Sequence, residues 1–123
     1  MSAAGTLTLI RAYYDAFNAG GPAAMATYLG ESVEHHVNQG EIRKSKQSFV
    51  EFSARLTGCY KETLKDLVVM ANESGTRAAA EFVVHGQYVA TDVGLPGAEG
   101  QRYVLPAGAF FDVDLGLIQR VTT

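Results

Sequence analysis

The period of the hydrophobic pattern changes once along this chain, close to Gly58, and that change restricts the folds open to it. Before it, apolar residues recur at helical spacing; after it, they alternate as strands do. From Thr6 to Asn18, Leu7, Ile10, Tyr13, Tyr14 and Phe17 form one helical stripe. The stripe runs into Asn18-Ala19-Gly20-Gly21-Pro22, with glycine suited to a left-handed cap and proline preset for a new first turn. A short second helix is predicted from Pro22 to Leu29, burying Met25, Tyr28 and Leu29. A third is predicted from about Lys46 to Thr57, with Phe49, Phe52 and Leu56 as its core stripe. Between them, Ser32–Asn38 reads as an extended segment, Gln39-Gly40 as a turn and Glu41–Arg43 as a short edge strand.

Beyond Gly58 the strands follow one another. Thr63–Ala71 is β-rich, Asn72–Gly75 is a hairpin turn, and Arg77–Ala90 is a long strand. In that strand Phe82, Val84 and Tyr88 share one face, while Glu81, Val83, His85 and Gln87 share the other. Gly86 reads as a bulge or bend that curves the sheet. A glycine-rich loop, Thr91–Gly100, precedes a second long strand, Gln101–Val113, then a turn at Asp114–Gly116 and a last strand, Leu117–Thr123. Helices first and antiparallel strands afterwards give an α+β class. The expected architecture is cone-shaped: three helices in the N-terminal half pack on a strongly curved, mostly antiparallel sheet and enclose a pocket. Such a concave apolar cavity is the default ligand site. No repeat, low-complexity stretch or linker divides the 123 residues, so one domain, 1–123, is expected.

Composition narrows the function classes. With 47% hydrophobic and 19% charged residues the chain has the balance of a globular protein. A net charge of -3 argues against nucleic-acid binding, which needs clustered Lys and Arg. The one basic cluster, Arg43, Lys44 and Lys46, is too short for such a footprint. Cys59 is the only cysteine, which excludes an intrachain disulfide. The opening MSAAGTLTLIRAYY lacks the pattern of a signal peptide, and no apolar run approaches the ~20 residues of a membrane span. A cytoplasmic protein without membrane association is expected.

Particular words then carry a resemblance. Tyr13-Tyr14-Asp15-Ala16-Phe17-Asn18-Ala19-Gly20, Val37-Asn38-Gln39-Gly40-Glu41, Ala80-Glu81-Phe82-Val83-Val84-His85-Gly86 and Tyr103-Val104-Leu105-Pro106-Ala107-Gly108-Ala109-Phe110-Phe111, in this order of elements, resemble the ketosteroid isomerase-related, SnoaL-like branch of the nuclear transport factor 2-like superfamily. The resemblance spans nearly the whole chain. In the steroid isomerases an aspartate at the end of the first strand shuttles a proton, while a helix tyrosine and a protonated aspartate on a late strand hold the dienolate oxygen. Carried over, the tyrosine matches Tyr13, or Tyr14 if shifted by one, and the proton-shuttling position falls at His36, or His35 with a different gap. The late-strand acid falls at Gly108, which has no side chain to donate. Losing such a donor costs ~3 kcal/mol of transition-state stabilisation, so an unmodified steroid isomerase mechanism is not implied. Relatives also continue past Thr123, so a short final strand is expected to leave the pocket floor or a dimer face less covered.

The resemblance therefore implies an acid–base enzyme of isomerase or hydrolase type, needing no cofactor, that acts on a hydrophobic carbonyl- or epoxide-bearing compound. His36 would move the proton and Tyr13 would polarise an oxygen. Tyr14, Phe17, Met25, Asn38, Phe52, Leu56, Phe82, Tyr88, Tyr103, Gly108 and Phe110 would line the ligand site. Plainer readings stand beside these: His35 and His36 must point to opposite faces if extended, Tyr13 reads equally as a residue that only shapes the cavity, and Asn38 before Gln-Gly suits turn chemistry. Asp92 reads as a turn residue in a loop that could act as a lid. The three histidines lack metal-ligand spacing, and no metal is expected. The alternative is a non-catalytic ligand-binding or oligomerisation domain. The outer row of Val83, His85 and Gln87 is plausible material for a homodimer interface.

Overall fold

The computed structural model describes residues 2–37 and 40–123. Helix α1 runs from Ala3 to Gly20 and is capped by Ser2, whose hydroxyl accepts from the Gly5 amide at 3.0 Å. Gly21, at φ +84°, ends it, and Pro22 opens the five-residue helix α2, Pro22–Ala26. Residues Thr6, Ile10, Tyr13 and Tyr14 of α1 are buried, as the 3.6-residue period requires. Helix α2 is shorter than expected. Leu29 belongs instead to strand β1, Leu29–His36, which therefore starts three residues before the predicted Ser32.

Strand β2 (Ile42–Lys44) leads into α3 (Lys46–Cys59), capped by the Ser45 hydroxyl on the Ser48 amide. Strands β3 (Tyr60–Ala71), β4 (Arg77–Tyr88), β5 (Arg102–Asp114) and β6 (Leu117–Thr122) complete one six-stranded sheet in the order β2-β1-β6-β5-β4-β3. Every pairing is antiparallel except β1 with β6. This is the expected α+β arrangement of three helices on a mostly antiparallel curled sheet. Strand β3 begins three residues before the predicted Thr63, which brings Tyr60 and Glu62 into the sheet.

Curvature does not come from Gly86. The register through Gly86 is uninterrupted on both sides, whereas β3 breaks register between Lys65 and Val68, with Asp66 at φ +58°. A bulge there adds twist and bends the long strand. The inner-face residues Phe111, Leu29, Ile118, Val33 and Val121 share one core with Ile10 of α1, all at most 1% exposed. These side chains fill the narrow end of the cone. Toward the other end the helices and sheet diverge.

The outer face is partly apolar. Met70, Ala79 and Phe110 form one row across β3, β4 and β5, with Met70 50% and Phe110 61% exposed. Phe110 was expected to line the ligand site. Alternation sends it outward, because its neighbours Ala109 and Phe111 are core residues. No helix among the described residues is long and apolar enough to cross a membrane.

Candidate functional site

Where helices and sheet diverge, a cavity of about 560 Å³ remains. Tyr13, Tyr14 and Phe17 of α1, Met25 of α2 and Phe52 and Leu56 of α3 line its helical side. Phe82, Val84 and Ala107 line its sheet side. A second space of about 310 Å³ adjoins it and shares Phe17, Met25, Ser53, Leu56 and Glu62.

The two tyrosines sit edge to face at 5.0 Å, Tyr13 also 5.8 Å from Phe111 and Tyr14 5.0 Å from Phe82. Both rings are buried, and neither hydroxyl bonds another described residue. Burial pushes the ionisation of both well above the usual tyrosine range, so they are hydrogen-bond donors at neutral pH.

The histidine in the cavity is His35, not His36. Val33 is fully buried in β1, and alternation places His35 and Val37 on the same side, where both line the cavity. His36 turns to the outer face, its Nε2 3.0 Å from Glu34 Oε1. The His35 ring lies 4.9 Å from Phe49 and 5.2 Å from Phe52, is 6% exposed, and its Nδ1 has no hydrogen-bond partner among the described residues. Burial, then the charges of Arg43 and His36, lower its pKa from 6.5 to about 4. His35 is thus a neutral imidazole at physiological pH. An unpaired acceptor is tolerated in a core better than an unpaired N–H, which puts the ring proton on Nε2.

A family model described as a SnoaL-like domain matches residues 10–121. The chain belongs to that family. With its cone of three helices on a curled sheet, it is a member of the nuclear transport factor 2-like superfamily. A candidate polyketide cyclase from Pseudomonas putida is 55% identical over 95% of this chain and 88% of that one, with a TM-score of 0.92. Another from Xanthomonas campestris is 51% identical over 98% and 89%, with a TM-score of 0.94. A candidate ketosteroid isomerase from Kribbella flavida, 23% identical over 98% and 76%, superposes at 0.69 and shows the shared fold alone. None of the curated proteins matches the sequence.

Of the other expected lining residues in this SnoaL-like chain, Gly108 reaches the cavity only with its backbone. It pairs with the exposed Glu81 on the outer face, and a Cβ there would come within 2.8 Å of the Ala80 carbonyl oxygen. Position 108 therefore could not aim an acid into the cavity. Tyr88 is not a lining residue: it stacks on Tyr60 at 5.1 Å, its hydroxyl donates to the Pro96 carbonyl and accepts from the Asp92 amide. Tyr103 also lies outside the large cavity, its hydroxyl on Glu62. Asn38 falls outside the described residues.

Sequence reasoning missed two features. Asp92 is not merely a turn residue: it accepts from Arg55 Nη1 at 2.7 Å and from the Tyr60 hydroxyl at 2.9 Å, tying the 91–100 loop to α3 and β3. Glu62 escapes a sequence reading in which β3 begins at Thr63, one residue after it. The alternation Glu62, Leu64 with apolar Leu64 inward would have found it.

Proposed function

We propose that this chain binds a hydrophobic, carbonyl-bearing small molecule in the 560 Å³ cavity and transforms it by cofactor-independent acid–base chemistry of the isomerase, hydrolase or cyclase type. The observation that carries this is the presence, along one aromatic-walled space, of the two tyrosine hydroxyls and the neutral imidazole of His35. A few fixed polar groups in an apolar cavity orient a ligand and stabilise developing charge. His35 and Tyr13 hold the substrate oxygen; accepting a proton is disfavoured at His35, because burial and Arg43 both oppose its charged form. The 51–55% identical candidate polyketide cyclases support a multi-carbonyl substrate, since ring closure begins with proton loss beside a carbonyl.

The test uses 1,8-dihydroxyanthraquinone, a planar neutral dione, as probe. Binding measured by calorimetry is expected to fall at least tenfold in Ala107→Phe, which fills the cavity beside Phe82, and to persist in the outer-face variant Glu81→Gln. Equal binding by Ala107→Phe would contradict the reading.

We also propose a homodimer through the outer face. The exposed Met70–Ala79–Phe110 row is flanked by Arg77, Asp112 and Arg120, linked by ion pairs at 2.9–3.1 Å, so a second copy meets both apolar surface and charges of either sign. Light scattering is expected to give a dimer mass for the wild type and a monomer for Phe110→Glu. A wild-type monomer at micromolar concentration would remove the proposal.

A further inference from the structure

We propose that Glu62 is the proton-moving carboxylate of this cavity and that Tyr103 fixes it in place through a gap left by Gly86. The inference rests on the cavity being the reaction site proposed above. Three strands put the pieces in one row: Glu62 of β3 pairs with Gly86 of β4, and Gly86 with Tyr103 of β5. Directly paired residues share a face. The next row on that face, Leu64 with Val84, lines the cavity, as does Glu62 itself.

Gly86 explains how tyrosine and glutamate meet across an intervening strand. A Cβ at position 86 would collide with the Tyr103 ring at Cζ and Cε2 and with its hydroxyl oxygen. The ring fills the volume that any other side chain would occupy, and its hydroxyl donates to Glu62 Oε2 at 2.5 Å. Glycine inside a strand weakens it unless another group approaches closely. Here that group is an aromatic ring carrying a hydrogen bond to the cavity's edge.

The chemistry of the lining selects Glu62 for the proton. Among the described residues that line the large cavity there is no lysine or arginine, and Glu62 carries the one side-chain carboxylate. The tyrosines are held protonated and His35 resists protonation. No hydrogen bond to a described residue engages Glu62 Oε1, which leaves that atom to take a proton. In the step this allows, Oε1 removes a proton from carbon beside a carbonyl. The C–H electron pair becomes an enolate, whose oxygen is held by Tyr13 and His35. The Glu62 carboxyl then returns the proton to another carbon, or to the alkoxide formed when the enolate carbon attacks a second carbonyl. Tyr103 acts through Glu62 and is a positioning residue.

The experiment uses 5-nitrobenzisoxazole, a planar neutral probe. A base takes its ring C–H proton, the N–O bond breaks, and a coloured cyanonitrophenolate forms. Wild-type protein is expected to exceed acetate at equal concentration, and Glu62→Gln to lose about 100-fold in kcat/KM. Tyr103→Phe and Gly86→Ala are each expected to lower kcat severalfold with KM little changed, and their combination no further, because both break one contact. Glu81→Gln, on the outer face, keeps wild-type turnover. Ultraviolet titration gives a readout free of turnover: burial and then the Glu62 bond raise the Tyr103 ionisation, so Glu62→Gln brings it partly down. Unchanged turnover in Glu62→Gln, or wild type no faster than acetate, overturns the proposal. If Glu62→Gln does not fold, loss of turnover in folded Gly86→Ala supports it and full turnover there overturns it. Loss on His35→Ala with Glu62→Gln active would leave the cavity as the site and remove Glu62 as its base.

Discussion

His35 and His36 are neighbours in sequence and opposites in physics. His35 is 6% exposed between Phe49 and Phe52, with one ring nitrogen unpaired among the described residues. His36 stands on the outer face against Glu34, its side chain 28% exposed. Nothing local to either residue creates this difference. Strand alternation does, and Val33 sets its phase, since a fully buried valine two residues earlier commits His35 to the interior. A family's catalytic position carried over by alignment can slip by one residue, and in a strand one residue is the difference between cavity and solvent.

The largest expected effect that would break this comparison is in the pH dependence of stability. His35 has a folded pKa of about 4 against 6.5 in its usual state, so the unfolded chain binds the proton more readily. Its contribution is whole above pH 6.5 and is lost as the pH falls toward 4, amounting to about 3 kcal/mol. Urea midpoints between pH 7 and 4 should show this decline, and the decline should shrink in His35→Phe. A wild-type slope in His35→Phe would place the imidazole elsewhere.

Next in size, Gly108→Asp is expected to cost about 2 kcal/mol, because its Cβ must push the β4 backbone at the Ala80 carbonyl. It should not improve probe binding or turnover, since the added carboxyl points outward. A gain of activity would show that position 108 does face the cavity. His35→Phe at pH 7 is expected to stabilise the fold by about 1 kcal/mol, replacing a buried unpaired nitrogen with carbon, while weakening binding of the dione probe. The smallest effect belongs to His36→Ala, within about 0.5 kcal/mol and without loss of probe binding. If His36→Ala abolished binding and His35→Phe did not, the comparison would be inverted.

Much of this architecture was readable from the pattern. The stripe Ile10, Tyr13, Tyr14, Phe17 announced α1 and half of the cavity wall, and the alternation Phe82, Val84 announced the inner face of β4. The resemblance carried by these segments reached the right family. What remained hidden is what depends on pairing between distant segments. The sequence places Tyr103 among the ligand-site residues, and its ring does face inward. Only the Glu62–Gly86–Tyr103 row shows that its hydroxyl is already engaged. Gly86 reads as a bulge or bend in the sequence, because a sequence does not show which neighbour fills the space a glycine leaves. Tyr88 and Asp92 were separated in sequence reasoning, yet the Tyr88 hydroxyl accepts from the Asp92 amide and closes the loop that follows β4.

The central claim is that the cavity's imidazole is His35, buried and neutral. Nitrogen-detected NMR of the histidine rings from pH 3 to 8, with and without the anthraquinone probe, tests it most directly. The account predicts that the ring signals missing from His35→Phe titrate near pH 4, carry their neutral-state proton on Nε2, and shift when the probe binds. Signals assigned to His35 that titrate near 6.5 and ignore the probe would contradict it.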